Sequence, residues 1–277
     1  MASPNFYSTG NGGSSGSTLA TVSPVLSSGT TWYVSSTATG AADAASPAGR
    51  ERIKPLLTLA QAVTNAAAND TICILANHTE TLTSAQTINT AGLNIIGEGT
   101  GSNRPKFTRN IAANGVLWDV TAAGVTIDNI YFPATATTAS TGAKVKLSAA
   151  APRVLNCYFE ASTLDDGAQL QTVTGASQVY VYNTTFISTA SSPSDQPESA
   201  ITVTNALTDM VLDTVVFSGG SSGWANPFAF NGAAAITRLR AINCDLLLDS
   251  DVTLATGTVG YWHTRSATGS GRVVWAA

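Results

Sequence analysis

Five carboxylates group closely enough to do chemistry. Glu160, Asp165 and Asp166 fall together, and Asp195 and Glu198 follow one loop later. Two carboxyl groups about 5–10 Å apart suffice for glycoside hydrolysis, one giving a proton to the leaving oxygen and the other activating water or attacking the sugar. The bland reading of the same five is a solvated acidic loop. Asp128 and Asp213 form a second candidate pair, considered below with their spacing. His78 and His263 stand alone in the sequence and read as surface or loop residues. Cys73, Cys157 and Cys244 are odd in number and far apart, which suggests neither a disulfide framework nor a zinc site. With no phosphate-binding loop and no serine-nucleophile turn, no cofactor and no metal is expected.

The chain around these residues is unusual in charge. Of 277 residues, 44% are hydrophobic and only 11% charged, against roughly 25% charged in an average soluble domain. The surface must be built from Ser, Thr, Asn, Gly and Ala. Net charge is −4, with no run of Lys or Arg, so no nucleic-acid partner is expected. No apolar run reaches membrane-spanning length. The start, MASPNFYSTGNGGSSGS, lacks the basic and apolar regions of a secretory leader, so the expectation is synthesis in a host cytoplasm without export by the general route.

What must position the carboxylates is a repeat. The phrases VTIDNIYF, PRVLNCYF, VYVYNTTF and MVLDTVVF begin at 125, 152, 179 and 210. Their shared mark falls at Asn129, Asn156, Asn183, Thr214 and, more loosely, Asn243, with an earlier degenerate copy in LNIIG at 93–97. On both sides of the mark alternate positions stay apolar, which is the two-residue period of a strand. The mark therefore sits at a bend between strands. Three residues after it stand Phe132, Phe159, Phe186 and Phe217. A second strand series accompanies the first, near 116–120, 143–147, 168–173, 200–203, 228–230 and 252–254. A repeat of 27–31 residues predicts an all-β fold, a parallel β-solenoid of about six to seven coils, each about 4.8 Å from the next. Like residues then stack on like. The Phe residues become an aromatic ladder, and Asn129, Asn156, Asn183 and Asn243 a bend ladder with architectural rather than catalytic work. A buried Asn there can bond the backbone and its neighbours, and it tolerates the left-handed conformation. Asp128 and Asp213 point outward three coils apart, about 14 Å, too far to act on one glycosidic bond.

Residues 1–30 are rich in Gly, Ser and Thr and read as a flexible N-terminal arm; 31–277 read as one β-helix domain. Thr58 and Gln61 fit a capping box for a helix over about 58–68, placed to cover the first open end.

The run from Thr31 through TWYVSS and KPLLTLAQAVTNAAANDTICILANHTETL, followed by Asn-marked coils, resembles the right-handed β-helix or pectate-lyase-like superfamily. That family opens with a strand, a capping helix and a "GDTI"-like first coil, here Asn69-Asp70-Thr71-Ile72. The resemblance covers roughly 31–260. It implies the fold and not the function, because this fold hosts lyases, hydrolases, adhesins and virion proteins. Members that cut polysaccharides use clustered carboxylates, or acidic calcium ligands beside an Arg or Lys base. Here only Arg153 is expected near the acidic loops.

The outward columns point elsewhere. Leu155, Tyr158, Tyr180, Tyr182, Val211 and Val216 are expected to form an apolar, Tyr-rich patch, an association surface for a homotrimer. By analogy with viral β-helices, the expected function is a non-enzymatic virion protein of a tailed bacteriophage. A head decoration or cement protein fits best, with its arm on the major capsid protein or another virion protein. The alternatives are a tailspike-like polysaccharide lyase or hydrolase, and a glycan-binding adhesin using Trp224, Trp262 or surface Tyr residues.

Overall fold

A computed structural model describes residues 29–43, 48–111, 115–134, 141–162, 167–189, 197, 199–219, 224, 227–230, 234–247, 252–254, 256, 258–268 and 273–275. The chain is a parallel β-solenoid. It opens with β1 (Thr31–Val34), the helix α1 (Leu59–Asn65), β2 (Thr71–Ile74), β3 (Thr79–Leu82) and β4 (Gln86–Ile88), then β5 (Asn94–Gly97), β6 (Lys106–Arg109) and β7 (Trp118–Val120). From there each turn repeats the pattern of β5, β6 and β7: one short strand for each of three walls.

In the first wall β1, β2 and β5 are followed by Thr126–Asp128, Arg153–Leu155, Val179–Tyr182 and Met210–Asp213. In the second, β3 and β6 are followed by Tyr131–Phe132, Tyr158–Ala161, Thr185–Ser188 and Val216–Gly219. The nine-residue strand Leu239–Leu247 runs through both, which joins them into one 15-stranded sheet. The third wall is a separate six-stranded sheet from β4 to Phe228–Phe230, and its stacking spans about five turns.

Every named pair is parallel, and like columns lie in register: Ile127 pairs with Val154, Val154 with Val181, and Val181 with Leu212. The inward columns are buried and mostly apolar, with Gln86, Arg109, Thr172 and Ser188 as polar members, so hydrophobic burial holds the turns closed while main-chain bonds hold them together. The repeat visible in the sequence shows two strands around the mark; the third, at β7 and its successors, matches the second strand series.

The helix is shorter than the sequence suggests. Thr58 accepts from Gln61 N at 3.3 Å, as a capping box requires, but Gln61 turns its amide to Asn65 at 2.9 Å instead of back to Thr58. Asp43 takes the Thr58 N–H at 3.0 Å, and Glu80 takes the Leu59 N–H at 2.9 Å. The helix stops at Asn65 because Asp70 captures the next free donor, Ala67 N, at 2.8 Å. Leu59, Ala62 and Val63 are its buried face, against β1 and β2.

Candidate functional surface

The marked residues share one backbone conformation. Asn129, Asn156, Asn183, Thr214 and Asn243 have φ of 57°, 52°, 45°, 55° and 53°, the left-handed region that Asn enters at least cost among non-Gly residues. Each turns the chain from the first wall to the second. Their amides continue the ladder through the bend: Asn129 N donates to Leu155 O, Asn156 N to Tyr182 O, and Asn183 N to Asp213 O, at 2.9–3.0 Å. The side chains are less uniform. Asn183 Nδ2 donates to Asn156 Oδ1 at 2.8 Å, and Asn156 Nδ2 donates to Asp128 Oδ1 at 2.7 Å. Asn129 leaves the stack and donates to the carbonyls of Gly97 and Gly99, both at 2.8 Å. These residues are not buried as expected: Asn129 and Asn156 are half-buried, and Asn183 and Asn243 are exposed. The bend lies at a corner of the prism, where side chains turn outward.

A second bend of the same kind was not legible in the sequence. Gly92, Gly124, Ala151, Gln178 and Asp209 all have positive φ where the third wall returns to the first, and Asn69 has it where α1 leads into β2. The amides from Asn69 to Gln178 each donate to the residue preceding their counterpart in the next turn, as Gly124 N does to Ala150 O at 2.9 Å. Gly, Ala, Gln and Asp share no side-chain signature, so only the spacing of one or two residues before each first-wall strand could have found it.

The aromatic rings form one line. Phe132, Phe159, Phe186 and Phe217 are fully buried, with centroids 4.7, 4.9 and 5.6 Å apart and planes within 14° of parallel. The line extends upstream through Trp118 and Phe107 to His78, whose ring lies 5.3 Å from Phe107. His78 is therefore a core residue and not the surface residue expected. Its Nδ1 accepts Ser36 N at 2.9 Å, which leaves the proton on Nε2 to face Glu80 at 3.2 Å. His263 is exposed.

Of the acidic group, Glu160 alone is described; Asp165, Asp166, Asp195 and Glu198 lie outside the described residues. The Glu160 carboxylate accepts the Tyr131 hydroxyl, and its main-chain carbonyl accepts Lys144 Nζ. Burial and then this carboxylate hold the Tyr131 hydroxyl well above its ordinary pKa. Lys144 is fully buried, so Arg153 is not the only cation by these loops, as the sequence suggested. Asp128 and Asp213 lie three register steps apart, through Leu155 and Tyr182. Burial raises the Asp128 carboxyl, partly offset by the Asn156 amide and by Arg104.

The expected apolar patch is divided by the Asn corner. Leu155, Tyr180, Tyr182 and Val211 lie on first-wall strands, and Tyr158 and Val216 on second-wall strands. Tyr180 and Tyr182 stand with rings 6.2 Å apart and nearly parallel, and the Tyr180 column runs from exposed Arg153 through Tyr180 and Val211 to exposed Arg240. Leu155 is only 8% exposed, because its neighbours cover it. Trp224 is fully buried, with its indole N–H on Ser218 O at 3.1 Å, so it is not a sugar-stacking surface. Trp262 packs against Phe217 and Phe228 at 6.2 Å. Among the described residues no three His, Cys, Asp or Glu side chains converge as metal ligands.

Comparison with known proteins finds no matching family model, no matching curated protein and no matching solved structure.

Proposed function

We propose that the chain is a non-enzymatic structural protein of a tailed-bacteriophage virion, a capsid decoration or cement protein of pectate-lyase-like type. In this reading a right-handed rod of six to seven coils, covered at its first end by α1, projects from the head. The Gly- and Ser-rich residues 1–30 contact the major capsid protein or another virion protein. The observation that carries the reading is the outward face of the first wall. Successive turns present Tyr180, Tyr182 and Val211, side chains suited to contact, while the two acids of that face stand three turns apart. This face supports a homotrimer.

One observation favours a second reading, a tailspike-like polysaccharide lyase or hydrolase: Lys144 reaches the main chain of Glu160, so a cation does stand beside the acidic group. Its full burial weighs against contact with a substrate. Two experiments separate the readings. Negative-stain images of particles made with and without the protein should differ by a projecting knob, restored by adding the purified chain. Identical particles would overturn the decoration reading. Incubation with capsular and pectic polysaccharides should release neither reducing ends nor unsaturated sugars; release of either would establish the second.

A further inference from the structure

The first turn carries an imidazole where later turns carry apolar side chains. The carbonyls that accept Lys106 N, Tyr131 N and Tyr158 N belong to His78, Pro105 and Ile130, so these three share one inward column just past the first bend. His78 heads the column, fully buried, with its ring against Phe107. A buried imidazole needs partners for both nitrogens, and here each nitrogen holds a different piece of the end cap. Nδ1 accepts Ser36 N at 2.9 Å, from the loop that follows β1. Nε2 donates to Glu80 Oε2 at 3.2 Å, and that oxygen also accepts Leu59 N at 2.9 Å, from the start of α1. Ser36 makes a second bond, because its hydroxyl accepts Thr79 N at 2.9 Å. Two bonds through one residue, Ser36, thus fasten the loop to the start of β3.

A second proton on the ring would treat the two pieces differently. Only the neutral ring with its proton on Nε2 fits both partners. A proton on Nδ1 makes that nitrogen a donor facing the Ser36 N–H donor, so this bond is lost. The Nε2 bond keeps its direction and gains opposite charge, so Glu80 and the start of α1 stay in place. The loop parts as a unit, because Ser35 Oγ accepts Thr37 N at 3.3 Å and Ala38 N at 3.0 Å and closes the turn without the ring. The edge of β1 has separate cover: Tyr33 N donates to Gly49 O at 2.7 Å, and Leu56 N to Tyr33 O at 2.8 Å.

Few other charges bear on the ring. β1, β2 and α1 carry none. On β6, Lys106 lies over the Tyr131 ring, and Arg109 donates to Gly142 O at 2.7 Å. Asp43 accepts Leu57 N, Thr58 N and the Thr58 hydroxyl. Glu98 is bonded to Arg52 and Cys73. Among the described residues, Glu80 is the charged group that touches the imidazole.

We propose that His78 is a proton-operated latch on the end cap. The neutral ring holds the Ser36 loop on the first turn, and acid releases the loop while α1 stays docked. Imidazoles change charge between about pH 5 and 8. Release uncovers the head of the aromatic line at the capped end. The latch does not depend on the virion reading.

Amide hydrogen exchange followed by NMR on the full chain, corrected for the intrinsic rate at each pH, tests it. From pH 8 to pH 5 the protection of Ser36 N–H and Thr79 N–H should fall about tenfold or more, while that of Leu59 and Val181 holds. His78→Gln, whose amide offers an acceptor and a donor at every pH, should remove the pH dependence. If that variant does not fold, the ring nitrogen shifts of the unaltered chain replace it: they should report protonation of His78 over the same interval in which Ser36 loses protection. Constant protection of Ser36 in the unaltered chain overturns the proposal. So does a loss shared equally by Leu59 and Val181, which is unfolding rather than release. A pH dependence that survives in His78→Gln, or ring shifts that do not move with Ser36, assigns the change to another group and overturns it as well.

Discussion

Trp32 donates its indole N–H to Asp70 Oδ2 at 3.0 Å, a bond between two residues almost wholly withdrawn from solvent. The same carboxylate accepts Thr30 N at 2.6 Å and Ala67 N at 2.8 Å. It thus fastens the entry to β1, the exit from α1 and the start of β2. Burial alone would raise its pKa; the bonds from Ala67, Trp32 and Thr30, with Arg50 nearby, outweigh it and hold the group below the ordinary Asp range. A depressed folded-state pKa gives stability that is complete above the unfolded value, about 3.9, and is lost as pH falls through the folded one. Urea unfolding should therefore show an acid-side loss that Asp70→Asn reduces, with a cost of about 2 kcal/mol at pH 7. An unchanged acid limb in the variant would place that loss elsewhere.

The corner residues should separate conformation from bonding. Asn156→Ala puts a methyl side chain at a φ of 52° and strips Asp128 and Asn183 of a partner. The expected cost is about 1–2 kcal/mol. Asn156→Gly removes the same bonds but not the backbone freedom, so it should cost less. Equal urea midpoints for the two variants would show that the backbone conformation is not what Asn supplies.

Phe159 has a stacked ring on each side, at 4.7 and 4.9 Å. Phe159→Ala should destabilise by about 4 kcal/mol through lost burial and the cavity left behind. Phe159→Leu should recover most of this. Near-ultraviolet circular dichroism, which reads the ring column, should change in both.

The three thiols should be inert in the native protein. Burial pushes Cys73 and Cys157 up to about 12 and Cys244 up to about 11. For Cys73 the Glu98 carboxylate adds to this, accepting its Sγ–H at 3.1 Å. A disulfide reagent at pH 8 should label little thiol until denaturant is added, and then three per chain. Glu98→Gln should speed labelling of Cys73 alone.

The proposed trimer contact predicts that Tyr180→Ser with Tyr182→Ser lowers the mass in light scattering while the far-ultraviolet spectrum stays the same. A wild-type chain that is monomeric at micromolar concentration would remove the contact from consideration.

The columns were readable wherever a position demands one side-chain type. A ring stack needs Phe in every turn, and the first corner prefers Asn, so Phe132 to Phe217 and Asn129 to Asn183 showed the repeat directly. The second corner demands only a backbone conformation, and Gly124, Ala151, Gln178 and Asp209 reach it with no common mark. His78 misled because its burial is made by Ser36, a loop residue 42 positions away, and by Phe107 one turn on. The apolar outward residues were identifiable by parity. That they fall on two walls was not, because parity says which way a side chain points and not how sharply the corner between walls turns.

Since each strand bonds the turn above and the turn below, the main-chain hydrogen bonds lie along the length of the rod. Tension applied from tip to base therefore loads the turns in series, like links in a chain, and the weakest link sets the breaking force. That link is marked: Leu239–Leu247 slips register against Gly260–Thr268 between Ala241 and Cys244 and again between Cys244 and Asp245, whereas the pairing one turn below is regular. Under load the distal turn parts first, and the turns beneath it keep their shape.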